Sequence, residues 1–519
     1  MSNLLEKASI IHVPAGYDVG SINAVKPNLN LSEELIVNGD FATNSDWRLG
    51  DGWSISNGKA TSSIGWNNQT LRKLYNIGIS GGKTYRVKFD VLDYVSGSFR
   101  VFLGDNGQST SKIVEGITAN GSYSYDFTSP FGTGGDLIFR NVGTDTSFSI
   151  DNVSVKEILP ADFYFDRGTG GSVQSRVKGN QTIVFPQIET PRLDYTGGTG
   201  HWLIEPTSTN LITYSADFEQ SNWGITNEIT ITDGFSSPDG GNNASKISTD
   251  PQASQATKGL LFDGYNGTNR LTDSRSIWAK TVSGTGQLHL LSHHNNADNL
   301  FTITEEWQRF DLTGYISQGA HNFYAVDFRG SSTLTEVYLW GGQAEDNPFT
   351  TSYIPTSGGT ATRDTEVASG SGDSTMFNDD EGVLYAEIAA LSNDQTERSI
   401  SLASGANNDR ITLQYNLISN NIQCLYRVGN ANVGDVSFTS SDITNFSKIA
   451  FKYKTNDFAL WVDGVEVDTD PNGTTQNLGL IALTLDRLNS NSSPFYGKIK
   501  CIAVFKEALT DSELQCLTT

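Results

Sequence analysis

The chain has 519 residues, which at the usual domain size of ~150 residues predicts three to four domains. Lys and Arg number 35 against 58 Asp and Glu, a net charge of −23. This excludes the clustered cations that nucleic acid requires and argues against anionic membrane surfaces; no apolar run reaches the ~18 residues of a membrane-spanning helix. Gly, at 52 residues, stands above its norm of ~7%, and aromatics reach 10%: a turn-rich β composition with enough large side chains for real cores.

Residues 1–33 form a short leader. Met1 to Gly20 carries Glu6 and Lys7 without a long apolar stretch, so it does not read as a secretory signal. Ala8 to Val13 predicts one strand, broken by Pro14-Ala15-Gly16. The leader is too short for a core of its own. Two readings fit it, a frayed tail or an attachment peptide that orders on a partner.

Residues 34–158 predict a first β-sandwich. One pattern opens it and recurs later: Leu35-Ile36 through Asp40-Phe41 to Trp47, then Leu211-Ile212 through Asp217-Phe218 to Trp223. Such self-similarity marks duplicated modules. Tyr85, Val87, Phe89 and Val91 alternate with Arg86, Lys88 and Asp90, the period of a half-buried strand. Phe148 and Ile150 share one phase and Val153 and Val155 the other, which a bulge at Asp151-Asn152 would reconcile. Residues 159–210 carry Arg167, Arg176 and Arg192 with three prolines (Pro186, Pro191, Pro206), and predict extended linking structure against neighbouring modules.

Residues 211–355 predict a second jelly roll, with Trp278 and Trp307 in its core. Residues 356–375, rich in Gly, Ser and Thr, predict a linker. Residues 376–519 predict a third sandwich. There Ile411, Leu413 and Tyr415 alternate, as do Ile449, Phe451 and Tyr453, and Trp461 is a core residue. Asp463-Gly464 between apolar runs predicts a tight hairpin. Thr510-Asp511-Ser512-Glu513 matches a capping box opening one short helix through Leu517. The three cysteines (Cys424, Cys501, Cys516) fall in the last stretch and read as reduced, buried thiols rather than a disulfide framework. The fold class is therefore all-β, with three tandem sandwiches.

Asn38-Gly39-Asp40-Phe41 with Trp47, and Ser149-Ile150-Asp151-Asn152-Val153-Ser154-Val155, make the first module resemble carbohydrate-binding jelly rolls of the family 4/9 type. Pro191-Arg192-Leu193-Asp194-Tyr195, Leu203-Ile204-Glu205-Pro206 with Thr209-Asn210-Leu211, and Thr351-Ser352-Tyr353-Ile354-Pro355-Thr356 resemble tailed-phage head-spike, head-fibre or tail-fibre proteins. The leader, Ala8 through Lys26-Pro27, resembles proteins of Bacteroidetes phages, where it runs directly into a segment like Asp162-Phe163 to Arg167; the first jelly roll then reads as an insertion. Phe458 to Val467, Tyr496-Gly497-Lys498-Ile499 and Phe505 through Leu514 resemble the laminin-G/concanavalin-A-like lectin sandwich.

The jelly-roll resemblance implies a structural Ca²⁺ where first and last strands meet, with Asp40 and Asp151 as its residues here; solvated turn carboxylates are the alternative. Each module departs from the family pattern at one half of that site: Ala42 follows Phe41 in the first, and Gly341-Gly342 stands near the closing Asp position of the second. Trp53, Trp66 and Tyr94 are the candidates for stacking sugar rings in the first module, against an alternative role in core or rim. Glycoside hydrolysis needs two carboxylates ~5–9 Å apart, and no Glu-x-Asp-x-x-Glu strand pattern marks the last module. His293-His294 predicts an exposed loop with no third metal ligand. The resulting reading is a non-enzymatic virion surface protein, a spike or fibre on head or tail. Its leader would hold phage capsid or tail proteins, and its modules would bind host-surface polysaccharide with avidity. The phage resemblance implies a homotrimer, without membrane insertion. A polysaccharide-degrading enzyme and a ligand-free decoration protein are the competing classes.

Overall fold

The computed structural model describes all residues except 1–3, 19, 27–29, 74–76, 82, 106–108, 130–134, 160, 168–174, 177–182, 187–189, 227–228, 265–272, 316–322, 406–407, 430 and 488–492. Among the described residues the helices are Leu4–Lys7 and Asp511–Thr518, and the other regular elements are strands. The chain forms two compact units: Asn28–Pro160, and Met1–Pro27 together with Ala161–Thr519.

Unit Asn28–Pro160 is built on two long strands, Thr84–Asp105 and Asp136–Leu159, paired antiparallel. Residues 85–92 pair with 149–157, and 98–104 with 136–142. Between these halves the ribbon turns, at Asp93 and Gly97 on one strand and Gly143 on the other, all with positive φ. The two halves pack face to face: Phe89 lies 5.2 Å from Phe139, and Phe99 4.4 Å from Phe148, centroid to centroid. A ribbon folded onto itself this way is the jelly-roll sandwich. The bulge forms as the phase change requires: register shifts between Asp151 and Ser154, and Asn152 takes φ 50°. Phe148, Ile150, Val153 and Val155 all reach the core.

Gly39 sits against the strand after this bulge. Val153 N–H donates to its carbonyl at 2.8 Å, and a Cβ on Gly39 would stand 2.0 Å from the Val153 carbonyl oxygen. No rotamer relieves a clash with backbone. Gly39→Ala is expected to cost ~1–3 kcal/mol, the usual range for overpacking. Calorimetry should show the transition of this unit falling while that of the other unit stays in place.

The duplicated pattern builds the same local structure twice. Trp47 Nε1 donates to the Asn38 carbonyl at 2.9 Å, and Trp223 Nε1 to the Tyr214 carbonyl at 2.9 Å. Phe41 lies 5.0 Å from Trp47, and Phe218 4.9 Å from Trp223.

In the larger unit, the second module pairs two five-stranded sheets around Ile247, Leu261, Ile277, Leu288, Val326 and Leu339. Trp278 and Trp340 are buried in a neighbouring cluster, with Trp307 packed against it. The third module sets the sheet of Arg398–Ala403, Arg410–Tyr415 and Asn421–Val428 against one centred on Gly497–Phe505, Glu381–Ala390 and Ser447–Lys454. Tyr426 contacts Tyr453 and Phe458 between them. Asp463 and Gly464, with φ 48° and 85°, close the predicted hairpin. The final helix begins as its capping residues dictate, Glu513 accepting the Thr510 N–H at 3.0 Å.

The leader has a place in this fold. Strand Ala8–His12 pairs antiparallel with Gly497–Phe505, burying Ile10, Ile11 and His12. Strand His201–Ile204 pairs with the other end of the same strand, Trp202 opposite Ile499. Together they cover an edge that the third module would otherwise leave open. Phe163–Asp166 joins Ser21–Ile22 to Val367–Ser369 in a small sheet, so the chain leaves this unit before residue 28 and returns to the same place after residue 160.

Residues 356–375 correct the linker expectation. Ala361–Arg363 pairs with Ser208–Asn210, and Arg363, Glu366, Ala368 and Ser371 are all buried. Composition misled because the small polar residues here satisfy buried partners instead of water. The thiol expectation also needs amendment: all three cysteines are free, but only Cys424 is buried, and Cys516 is exposed.

Candidate ligand-binding site

Of the three aromatic candidates in the first module, Trp53 is 6% exposed and meets Phe148 edge-on at 5.6 Å, a core position. Tyr94 is half-buried, and its hydroxyl donates to the Gly97 carbonyl at 2.7 Å. Trp66 is 44% exposed. Its ring lies over Gly52, where a Cβ would come within 2.3 Å, and Asn141 Nδ2 holds its carbonyl at 2.9 Å. Trp66 and Tyr94 flank the 143–146 loop: Gly65 N–H donates to the Thr144 carbonyl at 2.5 Å, and Ser96 Oγ donates to the Asp145 carbonyl.

Asp40 is exposed at the Gly39–Val153 contact. Asp151 pairs in register with Asp90. Partial burial raises the Asp151 carboxyl above its ordinary range, and the charges of Asp90 and Asp40 push the same way. Asn152 ties one oxygen of each partner, donating from its backbone to Asp151 and from Nδ2 to Asp90, both at 2.7 Å.

The larger unit holds a cavity of about 410 Å³. Five separated parts of the chain wall it: 194–205, 309, 350–352, 391 and 498. Strand His201–Ile204 supplies His201 and Leu203, two residues apart and so on one face. Lys498 joins them because it is the register partner of Leu203. Arg309 comes from the second module, where its Nη2 donates to Ser276 Oγ at 2.7 Å. Thr351 and Ser352 complete that side.

A buried ion lattice fixes the floor. Arg192 pairs with both oxygens of Glu366, reaches Glu205 Oε2 at 2.9 Å and donates to Ser352 Oγ at 2.8 Å. Arg363 meets Glu205 at 3.0 Å. Glu205 also accepts the Ser352 N–H at 2.9 Å, which pins the wall. Burial alone would favour the neutral acid, yet Arg363 and Arg192 hold the Glu205 carboxyl down to about 2. Burial likewise opposes the charge of Arg192, and Glu366 and Glu205 overcome it.

The polar atoms facing the cavity are of both kinds. His201 is 2% exposed, and its Nδ1 lies 3.1 Å from the Thr199 carbonyl, which can only accept. Nδ1 therefore carries the proton and Nε2 the lone pair. Among the described residues Nε2 has no hydrogen-bond partner; a carboxylate oxygen of Asp194 stands 3.8 Å away. Burial lowers the imidazole below its ordinary value, with Lys498 and Lys500 adding to the effect. Arg309 Nε is shut off from solvent and also finds no acceptor among the described residues. The arrangement can accept hydrogen bonds at Nε2 and Asp194, and donate at Arg309, Lys498 and the hydroxyls.

The His293-His294 expectation is overturned. His293 is buried, His294 half-buried, and Asp327 supplies a third group within 4.8 Å of both. Asp327 came from a strand far along the chain, with no spacing motif to announce it. Its oxygens are already engaged: Arg329 reaches Oδ1 from Nε at 2.8 Å and Oδ2 from Nη2 at 2.9 Å, and His294 Nδ1 lies 2.9 Å from Oδ2. Burial opposes the charge of Asp327, and these contacts hold its carboxyl down to about 2. The cluster fastens a loop to the sheet.

Sequence reasoning missed His201, Arg309 and Lys498 as site residues. Their only signal was adjacency, His201 beside the Leu203–Pro206 run and Lys498 within Tyr496–Ile499.

Residues 368–515 match the family model of the Concanavalin A-like lectin/glucanases superfamily. No curated protein matches the chain. Among solved structures, a CBM4 is 16% identical over 22% of this chain and 94% of its own, with a TM-score of 0.19. The CBM40 of Ruminococcus gnavus IT-sialidase, bound to α2,3-sialyllactose, is 14% identical over 29% and 94%, with a TM-score of 0.24. Domain 4 of a GH43 extracellular arabinanase from Geobacillus stearothermophilus, in complex with arabinotriose, is 16% identical over 34% and 84%, with a TM-score of 0.24. At these scores the likeness settles neither fold nor ligand.

Proposed function

We propose that the protein binds carbohydrate without cleaving it, as a spike or fibre on the surface of a phage particle that adheres to host polysaccharide. The observation that carries the binding reading is the cavity, where a buried His201 Nε2 and hydroxyl-bearing walls converge with Arg309 and Lys498. Alternating donors and acceptors in a cleft of this size suit a polyhydroxylated ligand. The superfamily match of residues 368–515 supports the same reading. Trp66 offers an open aromatic face as a second platform. Several weak sites on one particle would act together, more so in a homotrimer.

The phage role rests on the sequence resemblance. Since Ala8–His12 is built into a sheet, attachment to capsid or tail proteins falls to other parts of the leader and the small sheet beside it. Affinity electrophoresis through host-surface polysaccharide tests the binding reading. Retardation with no release of reducing ends is expected; unretarded migration, or hydrolysed polymer, would overturn it.

The first module would hold Ca²⁺ at Asp40 and Asp151, with Asp90 beside them. Burial raises the Asp151 carboxyl and the charges of Asp90 and Asp40 add to it, a repulsion that a hard divalent cation there would relieve. Added Ca²⁺ should raise the melting temperature of this unit, with chelator reversing the gain and Asp151→Asn abolishing it. An unchanged melting temperature would remove calcium from the account.

A further inference from the structure

We infer that the cavity is selective for carboxylate-bearing sugars, with Arg309 and Lys498 pairing the carboxylate and His201 Nε2 accepting from a ring hydroxyl. This rests on the carbohydrate-binding reading and narrows it to one chemical class.

Arg309 is a part-buried cation acted on by three carboxylates: Asp311 is exposed to solvent, and the other two, Glu345 and Glu205, are engaged by other groups. Glu345 accepts from Ser208 Oγ at 2.6 Å, from the Thr351 N–H at 2.9 Å and from Thr351 Oγ1. Glu205 is taken by Arg192 and Arg363. The guanidinium is left with Ser276 Oγ, a neutral acceptor, and an Nε without one. Burial accordingly lowers Arg309 from the ordinary guanidinium value, with Glu345 and Glu205 pulling the other way. Lys498 makes no ion pair among the described residues. A part-buried cation without a direct ion pair is costly, and an anion entering the cavity reduces that cost.

Against these two cations stands Asp194, which accepts the Thr196 N–H at 2.7 Å. Glu205 adds no net charge, because two arginines neutralise it. The wall thus presents two cations, Arg309 and Lys498, in a chain whose net charge is −23. A fully deprotonated inorganic anion such as sulfate would satisfy the cations and leave His201 Nε2, an acceptor, without a donor. A sugar acid satisfies both with one molecule: its carboxylate meets the guanidinium and ammonium, and its hydroxyls meet Nε2. A cavity of about 410 Å³ has room for a ligand of that size.

Titration calorimetry on the full chain tests this, with oligomers of galacturonate and glucuronate against the neutral galactose and glucose oligomers. The acidic oligomers should bind at least tenfold more tightly, and their affinity should fall as salt is raised. Lys498→Met, at a part-exposed position, and Arg309→Gln should each erase most of that preference, weakening the acidic oligomers far more than the neutral ones. Should Arg309→Gln fail to fold, Lys498→Met still decides. Equal affinity for acidic and neutral oligomers would overturn the inference and leave carbohydrate binding standing. Acidic binding that neither variant weakens would place the site elsewhere and overturn it too. Binding of neither class, together with unretarded migration through polysaccharide, would overturn both.

Discussion

Arg192→Met is expected to lower the stability of the larger unit by ~3–5 kcal/mol, the usual cost of removing one partner from a buried ion pair. The side chain is fully buried, and its loss leaves Glu366 and Glu205 with excess negative charge and no water. Glu366 would keep Arg167 at 3.8 Å, too far for a hydrogen bond. Removing Glu366 as well, in an Arg192→Met, Glu366→Met double variant, should recover part of the loss, since the uncompensated carboxylate goes with it. Urea unfolding of both variants checks this. Equal stability of wild type and Arg192→Met would mean the lattice contributes nothing to the fold. Acid should act on the same lattice. Glu205 has a depressed carboxyl, so its stabilisation is complete above the unfolded value near 4.5 and is lost as pH falls toward about 2. The whole effect is about 3 kcal/mol.

The second large effect concerns His12, and it sets in at milder pH. His12 is 1% exposed, packs 4.3 Å from Phe163 and lies 2.8 Å from Ser371 Oγ. The Ser371 hydroxyl donates to the Ala161 carbonyl, so its oxygen takes the Nε2 proton of a neutral ring. Burial lowers this imidazole to about 3. Below pH 6.5 the unfolded chain binds a proton that the folded chain refuses, so stability falls with pH between about 6.5 and about 3. The slope is up to ~1.4 kcal/mol per pH unit. His12→Gln keeps a donor for Ser371 and has no proton to gain. Its urea midpoint at pH 5 should lie closer to its pH 7 value than the wild type's does. Identical pH dependence in the two proteins would show that His12 is not the group responsible.

Much of the fold was legible because it is local. Alternation at Tyr85 to Val91, the phase change at Asp151-Asn152, the Asp463-Gly464 turn and the Thr510–Glu513 cap each determine structure within a few residues. All four stand where the sequence put them. The repeated Phe–Trp pattern was legible for the same reason, since each indole reaches a carbonyl nine residues back. What was not legible depends on distant partners. Ala8–His12 is a strand with no core of its own until Gly497–Phe505 lies beside it. Arg363, Glu366 and Ser371 look like linker residues until Glu205, Arg192 and His12 are in place. The aromatic candidates show the same limit: Trp53 and Trp66 are alike in sequence, and only the fold tells that one meets Phe148 and the other solvent. The cavity takes its residues from five separated segments, so no spacing could have revealed it.

The most direct test of the account is a structure of the protein with an acidic oligosaccharide cut from host-surface polymer. An intact sugar bridging His201, Arg309 and Lys498 is the predicted result. Density confined to some other surface while this cavity stays closed to the sugar, or a glycan found cleaved, would contradict it.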